Sequence, residues 1–413
     1  MTAADQPRKI GQATAAIHTG QQPDPATGAV VPPLYLASTY VMDTVGVPRA
    51  GYDYARSGNP TRTSLEVALA AVEAGDRGFA FPSGMAAEDL LLRVLARPGD
   101  RIGYGADVYG GTYRLLTSIL PAEGRSAVPL DLADLAALRA TLAELQLVAL
   151  WLETPSNPLL DVVDIQAVAR LVREAGTLLV VDNTFASPAL QQPLTLGADI
   201  VVHSTTKAIA GHSDLVGGAV VVAADVHLPG RRVGVGGSTL VSDELAYWQN
   251  ATGSVASPHD CWLTSRGLKT LRVRTAAAGE SALSLARRFD QHPQVAEVRY
   301  PGLANHPQHE LATRQMRGYG SLLTLRFATA EIARAVCENT RLFSLAVSLG
   351  AVESLIEHPA SMTHATKAGG ASAISEDLVR ISVGLEDIED LAADLEQAIA
   401  LATGTAELPD TTS

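Results

Sequence analysis

The chain has 413 residues, enough for two or three domains, and 47% of them are apolar, so a large core can be buried. A formal charge of −13 leaves no basic footprint for nucleic acid, although a local pocket for a small anion is compatible with it. No apolar run reaches the roughly 18–20 residues of a membrane helix.

The first twenty residues lack the apolar stretch of a secretory signal, and the expected setting is cytoplasmic. Cys261 and Cys337 lie far apart and form no CxxC pair, which fits a reducing compartment.

Residues 1–60 are rich in Pro, Gly and Thr and show little periodicity. They are expected to form an arm, either disordered or wrapped on a partner subunit. A helix is predicted over 63–74, from the capping-box spacing of Thr63 and Glu66 and a stop at Gly75. Strand signals recur at 78–81, 101–104, 147–152, 178–181, 200–203 and 219–222, with helices between most of them, the clearest at 164–175. This rhythm predicts an α/β domain over 61–256, built on a mostly parallel sheet covered on both faces. The Gly-rich stretch 233–238 has no GxGxxG and is read as a flexible surface loop. A smaller α+β domain is expected over 257–402. Its helices are predicted at 258–270 and 274–290, its strands at 295–300 and 321–327. A last helix over 387–402 puts Ile388, Leu391, Ala392, Leu395 and Ile399 on one face. The polar residues 403–413 are expected to be a disordered tail.

Ligands of such folds sit at the carboxyl ends of the strands, and three unusual segments fall there. Ser204-Thr205-Thr206-Lys207 follows the strand 200–203. A lysine just past a buried strand end is desolvated, which lowers its pKa and frees the amine as a nucleophile. Ser204 and Thr206 can bind an anion beside it. Asp182 closes the strand 178–181, and a carboxylate buried there requires a partner. Ser83-Gly84-Met85 opens a helix after the strand 78–81, and N–H groups at a helix start bind phosphate. Taken singly these are a solvated lysine, a cap and a turn. Together they supply what pyridoxal phosphate needs: a lysine for its aldehyde, an acid for its ring nitrogen and a phosphate cradle.

Longer stretches carry a resemblance. TGAVVPPLYLASTY, YDYARSGNPTR, PSGMAA, DVYGGTYR, ETPSNPLLDVVDI, VVDNTFASPALQQPL, HSTTK, GHSD, SLGAVESLIEHPASMTH and RISVGLED occur in order along the chain. They resemble the pyridoxal-phosphate enzymes of cysteine and methionine metabolism, which include cystathionine γ-synthase, cystathionine γ-lyase and methionine γ-lyase. The resemblance implies the aspartate-aminotransferase-like fold (fold type I) and γ-elimination or γ-replacement on sulfur-containing amino acids. It implies that Lys207 holds the cofactor covalently and moves protons, that Asp182 pairs with the ring nitrogen, and that Tyr109 stacks on the ring. Gly84, Met85, Ser204 and Thr206 would bind the phosphate. Tyr54 and Arg56 would reach the phosphate of a neighbouring subunit in a homodimer or homotetramer. Arg380 would grip the carboxylate of a small amino-acid substrate, with Ser348 and Asn157 beside it and Glu153 nearby. His203, His212, His358 and His364 lie in the matching stretches without metal-ligand spacing, and no metal is expected.

The chain departs from the family at three places. Ala208 follows the lysine where an aromatic residue is usual, and the segment 224–243 is longer. Val347 stands where many cystathionine enzymes carry Glu. Methionine γ-lyases are apolar there, but they have Cys where this chain has Gly111. The expected activity is of the cystathionine γ-lyase or γ-synthase type. Methionine γ-lyase, or a replacement enzyme of specialised biosynthesis, stands as the alternative, followed by a non-catalytic binder on the same scaffold.

Overall fold

The structure is a computed structural model that describes residues 10–105, 107–363 and 374–405. A seven-stranded sheet holds β1 (Arg77–Phe81), β2 (Arg101–Gly105), β3 (Ser126–Leu130), β4 (Leu147–Glu153), β5 (Leu178–Asp182), β6 (Ile200–His203) and β7 (Gly218–Val222) in the order β1-β7-β6-β5-β4-β2-β3. All neighbours are parallel except β7, which runs antiparallel to both β6 and β1. Successive residues of these strands are buried on opposite faces. Trp151, Val180 and Val202 pack in one cluster, while Leu150, Leu152, Leu179 and Val181 pack in another. That is why the strands read as unbroken apolar runs.

Helix α1 spans Pro60–Val72, α2 Gly84–Leu95 and α3 Ile165–Glu174. Ile165, Val168, Leu171 and Val172 of α3 are buried against the sheet, a transfer gain on the order of 6–12 kcal/mol. The Asp164 cap, which accepts the Ala167 N–H, adds only about 1 kcal/mol. Packing therefore holds α3, and the cap sets where it starts.

Helix α1 starts earlier than predicted. Asn59 caps it by accepting the N–H groups of Thr61 and Arg62, and Pro60 takes the first helical position. Glu66 makes no capping box. Its carboxylate leaves the helix to accept the Ala80 N–H of β1 at 3.0 Å. The loop 233–238 also differs from expectation. Buried Glu244 accepts the N–H groups of Gly236 and Ser238 at 2.9 and 3.1 Å, so the loop is pinned to its neighbouring helix. A Cβ on Gly234 would meet the Glu244 carboxyl carbon at 2.0 Å, which accounts for glycine there.

Helices α4 (Pro258–Leu268) and α5 (Leu271–Phe289) lead to a five-stranded sheet. Its strands are β8 (Glu297–Arg299), β9 (Leu322–Arg326), β10 (Ser344–Leu345), β11 (Leu355–Glu357) and β12 (Leu378–Ser382), in the order β8-β9-β12-β11-β10. The last helix, Ile388–Thr403, buries Leu391, Ala392, Leu395 and Ile399 against this sheet, and Ile388 packs at the edge. The predicted tail beyond Thr405 lies outside the described residues. Between Ile10 and Asn59 there are a short α-helix, Gln12–His18, a two-stranded hairpin and a single 3-10 turn, Arg49–Gly51. This stretch leaves Val30, Leu36, Val41 and Val45 open to solvent.

Candidate active site

A cavity of about 300 Å³ opens where the carboxyl ends of β4, β5 and β6 face the five-stranded sheet. Its walls include Gly84, Met85, Tyr109, Glu153, Asn157, Asp182, Ser204, Thr206, Lys207, Val347, Ser348 and Arg380. Twelve of the residues singled out from the sequence thus converge. Tyr54 and Arg56 do not: both are exposed, and Arg56 donates to Asn250 Oδ1 at 2.8 Å, away from the cavity.

Lys207 lies in the turn after β6. Its Nζ donates to Ser348 Oγ at 2.9 Å. Burial, and then the nearby Arg380 charge, lower its pKa to about 8. The turn is held by buried Arg274, which donates to the carbonyls of Ala208, Ile209 and Gly267. Gly350 packs directly against Ala208. A Cβ on Gly350 would come within 2.8 Å of the Ala208 nitrogen, which accounts for glycine at 350.

Asp182 ends β5 and accepts the Thr184 N–H at 3.0 Å. Burial raises its pKa, against the opposing pull of the Thr184 hydrogen bonds and of His203. Across the cavity Ser83 caps α2 by accepting the Ala86 N–H at 3.0 Å. The N–H groups of Gly84 and Met85, in the first turn, have no acceptor within the helix. Two glycines let the surrounding chain come close. A Cβ on Gly84 would sit 3.0 Å from Ser204 Cβ, and one on Gly218 would sit 2.1 Å from the Ser83 carbonyl oxygen. Thr206 Oγ1 exchanges hydrogen bonds with the Gly217 backbone at 2.9 and 3.2 Å.

The Tyr109 N–H donates to Glu153 Oε2 at 2.7 Å. Burial raises the phenol's pKa, with Glu88 and Glu153 adding to it, so the hydroxyl stays protonated at neutral pH. A Cβ at Gly111 would fall 2.6 Å from both the Tyr109 ring and Met85 Sδ. The missing side chain therefore makes room for this tyrosine. Arg380, on β12, is paired with Glu357 at 2.9 Å and donates to Asn157 Oδ1 at 3.1 Å and to the Ser348 carbonyl at 2.7 Å. Ser348 has φ +115°, a conformation that costs a non-glycine residue about 1–3 kcal/mol. The bonds from Lys207 and Arg380 hold it there.

Sequence reasoning missed Glu88 and Glu357. Glu88 lines the cavity one turn into α2 and accepts from Thr112 Oγ1 at 2.7 Å; burial and the Asp182 charge push its pKa up to about 8. The available signal was an acid on the apolar stripe of a helix. Of the histidines, His203 bonds Glu73 Oε1 at 2.6 Å, His212 bonds the Ala210 carbonyl, and His358 bonds Ser361 and the Glu376 carbonyl. His364 lies outside the described residues.

A desolvated lysine, a buried acid on the adjacent strand end and a helix start with free N–H groups share one cavity, and these residues fit pyridoxal phosphate. The fold and site are those of a fold type I pyridoxal-phosphate enzyme. The comparison with known proteins makes this specific. Residues 13–400 match the family described as Cys/Met metabolism PLP-dependent enzyme. The chain is 50% identical over 390 residues to cystathionine gamma-synthase of Mycobacterium tuberculosis, covering 94% of this chain and 97% of that one. It is 43% identical over 389 residues to cystathionine gamma-lyase of Bacillus subtilis, with coverage of 94% and 98%. A crystal structure of cystathionine gamma synthase from Xanthomonas oryzae pv. oryzae, in complex with aminoacrylate and cysteine, superposes with a TM-score of 0.89. The two are 43% identical, and the match covers 97% of this chain and 100% of that one. The chain belongs to the Cys/Met metabolism family of pyridoxal-phosphate-dependent enzymes.

The electrostatics around Lys207 give a direct expectation for the cofactor-free protein. Between pH about 8 and 10.5 the unfolded chain keeps a proton on this lysine that the folded chain has lost, so its contribution to stability rises with pH through that window. Acylation of Lys207, followed by mass spectrometry across a pH series, should show a midpoint near 8. Arg380→Gln should raise the midpoint and Glu357→Gln should lower it, because the two charges act on Lys207 with opposite sign. A midpoint above 10 in the wild type would show that the amine is not desolvated.

Proposed function

We propose that this enzyme forms cystathionine by γ-replacement, joining the carbon skeleton of an O-acyl homoserine to cysteine, and that it also cleaves γ-thioethers by elimination. The observation that carries the reading is the meeting of Lys207, Asp182, Tyr109 and Arg380 around one cavity. The higher identity to the γ-synthase than to the γ-lyase supports placing replacement first.

When bound, pyridoxal phosphate supplies an electron sink for the negative charge that develops at the substrate Cα. The residues of the chain do the rest. The first-turn N–H groups of Gly84 and Met85, with Ser204 and Thr206, hold the phosphate. Asp182 keeps a proton on the ring nitrogen. Arg380 grips the substrate carboxylate, which turns Cα–H toward Lys207, and Ser348 and Asn157 steady that guanidinium. The Lys207 amine, with its pKa lowered to about 8, is unprotonated often enough near neutral pH to take the Cα proton, and once it has passed that proton on to the bound cofactor it would be free to take a Cβ proton. The protonated Tyr109 hydroxyl can donate to the departing γ-substituent. Elimination and replacement share these steps and part only in whether water or a thiol completes the reaction.

Two further readings belong here. Because Tyr54 and Arg56 lie outside the cavity of their own chain, we place them at the phosphate of a second copy, with the exposed Val30, Leu36, Val41 and Val45 as part of the contact. Cys261 and Cys337 are buried and unpaired, which supports a cytoplasmic setting. Among the described residues no helix is long and apolar enough to cross a membrane.

The central test is borohydride reduction of the purified yellow protein. It should fix the cofactor on Lys207, and Lys207→Ala should lose both the adduct and turnover of O-acyl homoserine with cysteine. Cofactor found on another lysine would end the proposal. The shared site is tested by mixing subunits. Arg56→Ala and Lys207→Ala should each be nearly inactive, and co-refolded mixtures should recover activity, since one site of each mixed dimer draws only on intact residues. Mixtures that exchange subunits yet stay inactive would show that each chain builds its own site. The third expectation concerns Val347, which lines the cavity with 56% of its surface exposed. A glutamate there could pair with the distal ammonium of cystathionine, a contact worth roughly 1.5–3 kcal/mol. Val347→Glu should therefore raise kcat/KM for cystathionine relative to methionine or an O-acyl homoserine. An unchanged ratio would mean that Val347 does not meet the substrate.

A further inference from the structure

The ion pair between Arg380 and Glu357 stands in the way of a substrate carboxylate. Glu357 and Arg380 are cross-strand partners on β11 and β12, so the sheet itself fixes their contact. The two side chains are 1% and 3% exposed. Nη1 of Arg380 serves Glu357 and Asn157, and Nη2 serves the Ser348 carbonyl. Nε has no acceptor among the described residues. On the other side, Glu357 Oε1 accepts the Thr363 hydroxyl at 2.9 Å as well as the guanidinium, while Oε2 has no partner among the described residues. The pair is thus half-satisfied at both ends: one buried donor and one buried acceptor are left over.

A carboxylate docking on the remaining donors brings a second anion to a guanidinium that already carries one. Like charges within ~4–6 Å each disfavour the ionised form, and the burial of both side chains weakens screening. Arg380 cannot give up its charge to relieve this. The groups facing Glu357 are Arg380, Lys207, Tyr109 and Cys337, and Glu153 faces Arg380 from the opposite wall. Tyr109 and Cys337 are held protonated by burial, so neither can absorb the change. Burial also pushes the Glu357 pKa upward, and the pull of Arg380 offsets this only in part. Glu357 lies behind the cavity wall and is the carboxylate in contact with the guanidinium.

We propose that a substrate carboxylate binding at Arg380 drives a solvent proton onto Glu357, so that Glu357 acts as a displaceable counter-ion and substrate capture is coupled to proton uptake. The proposal rests on the reading of Arg380 as the carboxylate grip. The free site then holds no bare buried cation, and the loaded site holds one anion per guanidinium. The proton adds to one carboxylate oxygen, no other bond changes, and release of the ligand returns it. Uptake is confined to the window above the carboxyl's pKa in the free enzyme and below its pKa in the complex.

The test uses the holoenzyme and butanoate, which has a carboxylate but no amino group to react with the cofactor. Isothermal titration in two buffers of different ionisation enthalpy gives the protons taken up per butanoate bound. The wild type should take up a substantial fraction of one proton within the window. Its affinity should fall by up to about tenfold per pH unit above the free-enzyme pKa. Glu357→Gln should bind butanoate with no uptake and with a flat pH profile. If Arg380→Gln loses butanoate binding while the wild type takes up no proton from about pH 6 to about pH 9, the coupling is wrong and the carboxylate grip stands. If Arg380→Gln binds butanoate as well as the wild type does, the grip is wrong and the coupling falls with it. The wild-type measurement decides the matter even if a variant fails to fold.

Discussion

The guanidinium of Arg380 sits where the two sheets meet and is bonded to parts of both. Glu357 belongs to its own five-stranded sheet, Asn157 follows β4 of the seven-stranded sheet, and the carbonyl of Ser348 ties it to the residue that receives Lys207. A buried cation costs several kcal/mol unless it is paired and hydrogen-bonded, and removing one partner of a buried pair typically costs about 3–5 kcal/mol. The bonds to Arg380 therefore do more than orient one side chain. They keep the unusual Ser348 backbone in place, and through it they set the distance between the lysine and the guanidinium.

Around that centre the charges are close to balanced. Asp182, Glu153 and Glu357 face Lys207 and Arg380, and Glu88 adds a carboxyl whose pKa near 8 leaves it mostly neutral at pH 7. Burial works in opposite directions on the two kinds of group, lowering Lys207 and raising the acids. The outcome is a cavity in which a base, Lys207, and an acid, Glu88, both come to about 8. Reactions that withdraw protons from adjacent carbons and return them elsewhere need such a setting.

Much of this was legible in the residues. The six strands foreseen in the seven-stranded sheet lie within one residue of their observed bounds, because apolar runs ending in Asp182 or at Ser204 leave little freedom in placement; in the smaller sheet 295–300 and 321–327 were foreseen, but β10, β11 and β12 were not. In the large sheet the edge strand β3 was not foreseen: it is partly exposed, contains Pro129 and, among the described residues, pairs with β2 alone. Helix α1 was started too late because the Asn59-Pro60 signal was passed over in favour of Thr63. Glu88 and Glu357 were missed for a different reason. A sequence shows that an acid is present, and only packing shows that Glu88 faces the cavity and that Glu357 is buried against Arg380. The Gly-rich loop was misread similarly, since nothing local announces that Glu244 will fold back onto it.

The reversal of β7 has a consequence for how the molecule is made. Among the described residues β1 pairs with no strand but β7, so residues 77–81 wait for residues 218–222, more than a hundred positions later, before they have a partner. The start of α2 follows β1 directly, and Gly218 of β7 closes against it. A chain growing on the ribosome can assemble the central strands in order, yet it carries an unpaired first strand until the seventh has emerged. The phosphate cradle comes into being with that final pairing. The residues that would cradle the phosphate are thus brought together by a long-range contact that the growing chain reaches late.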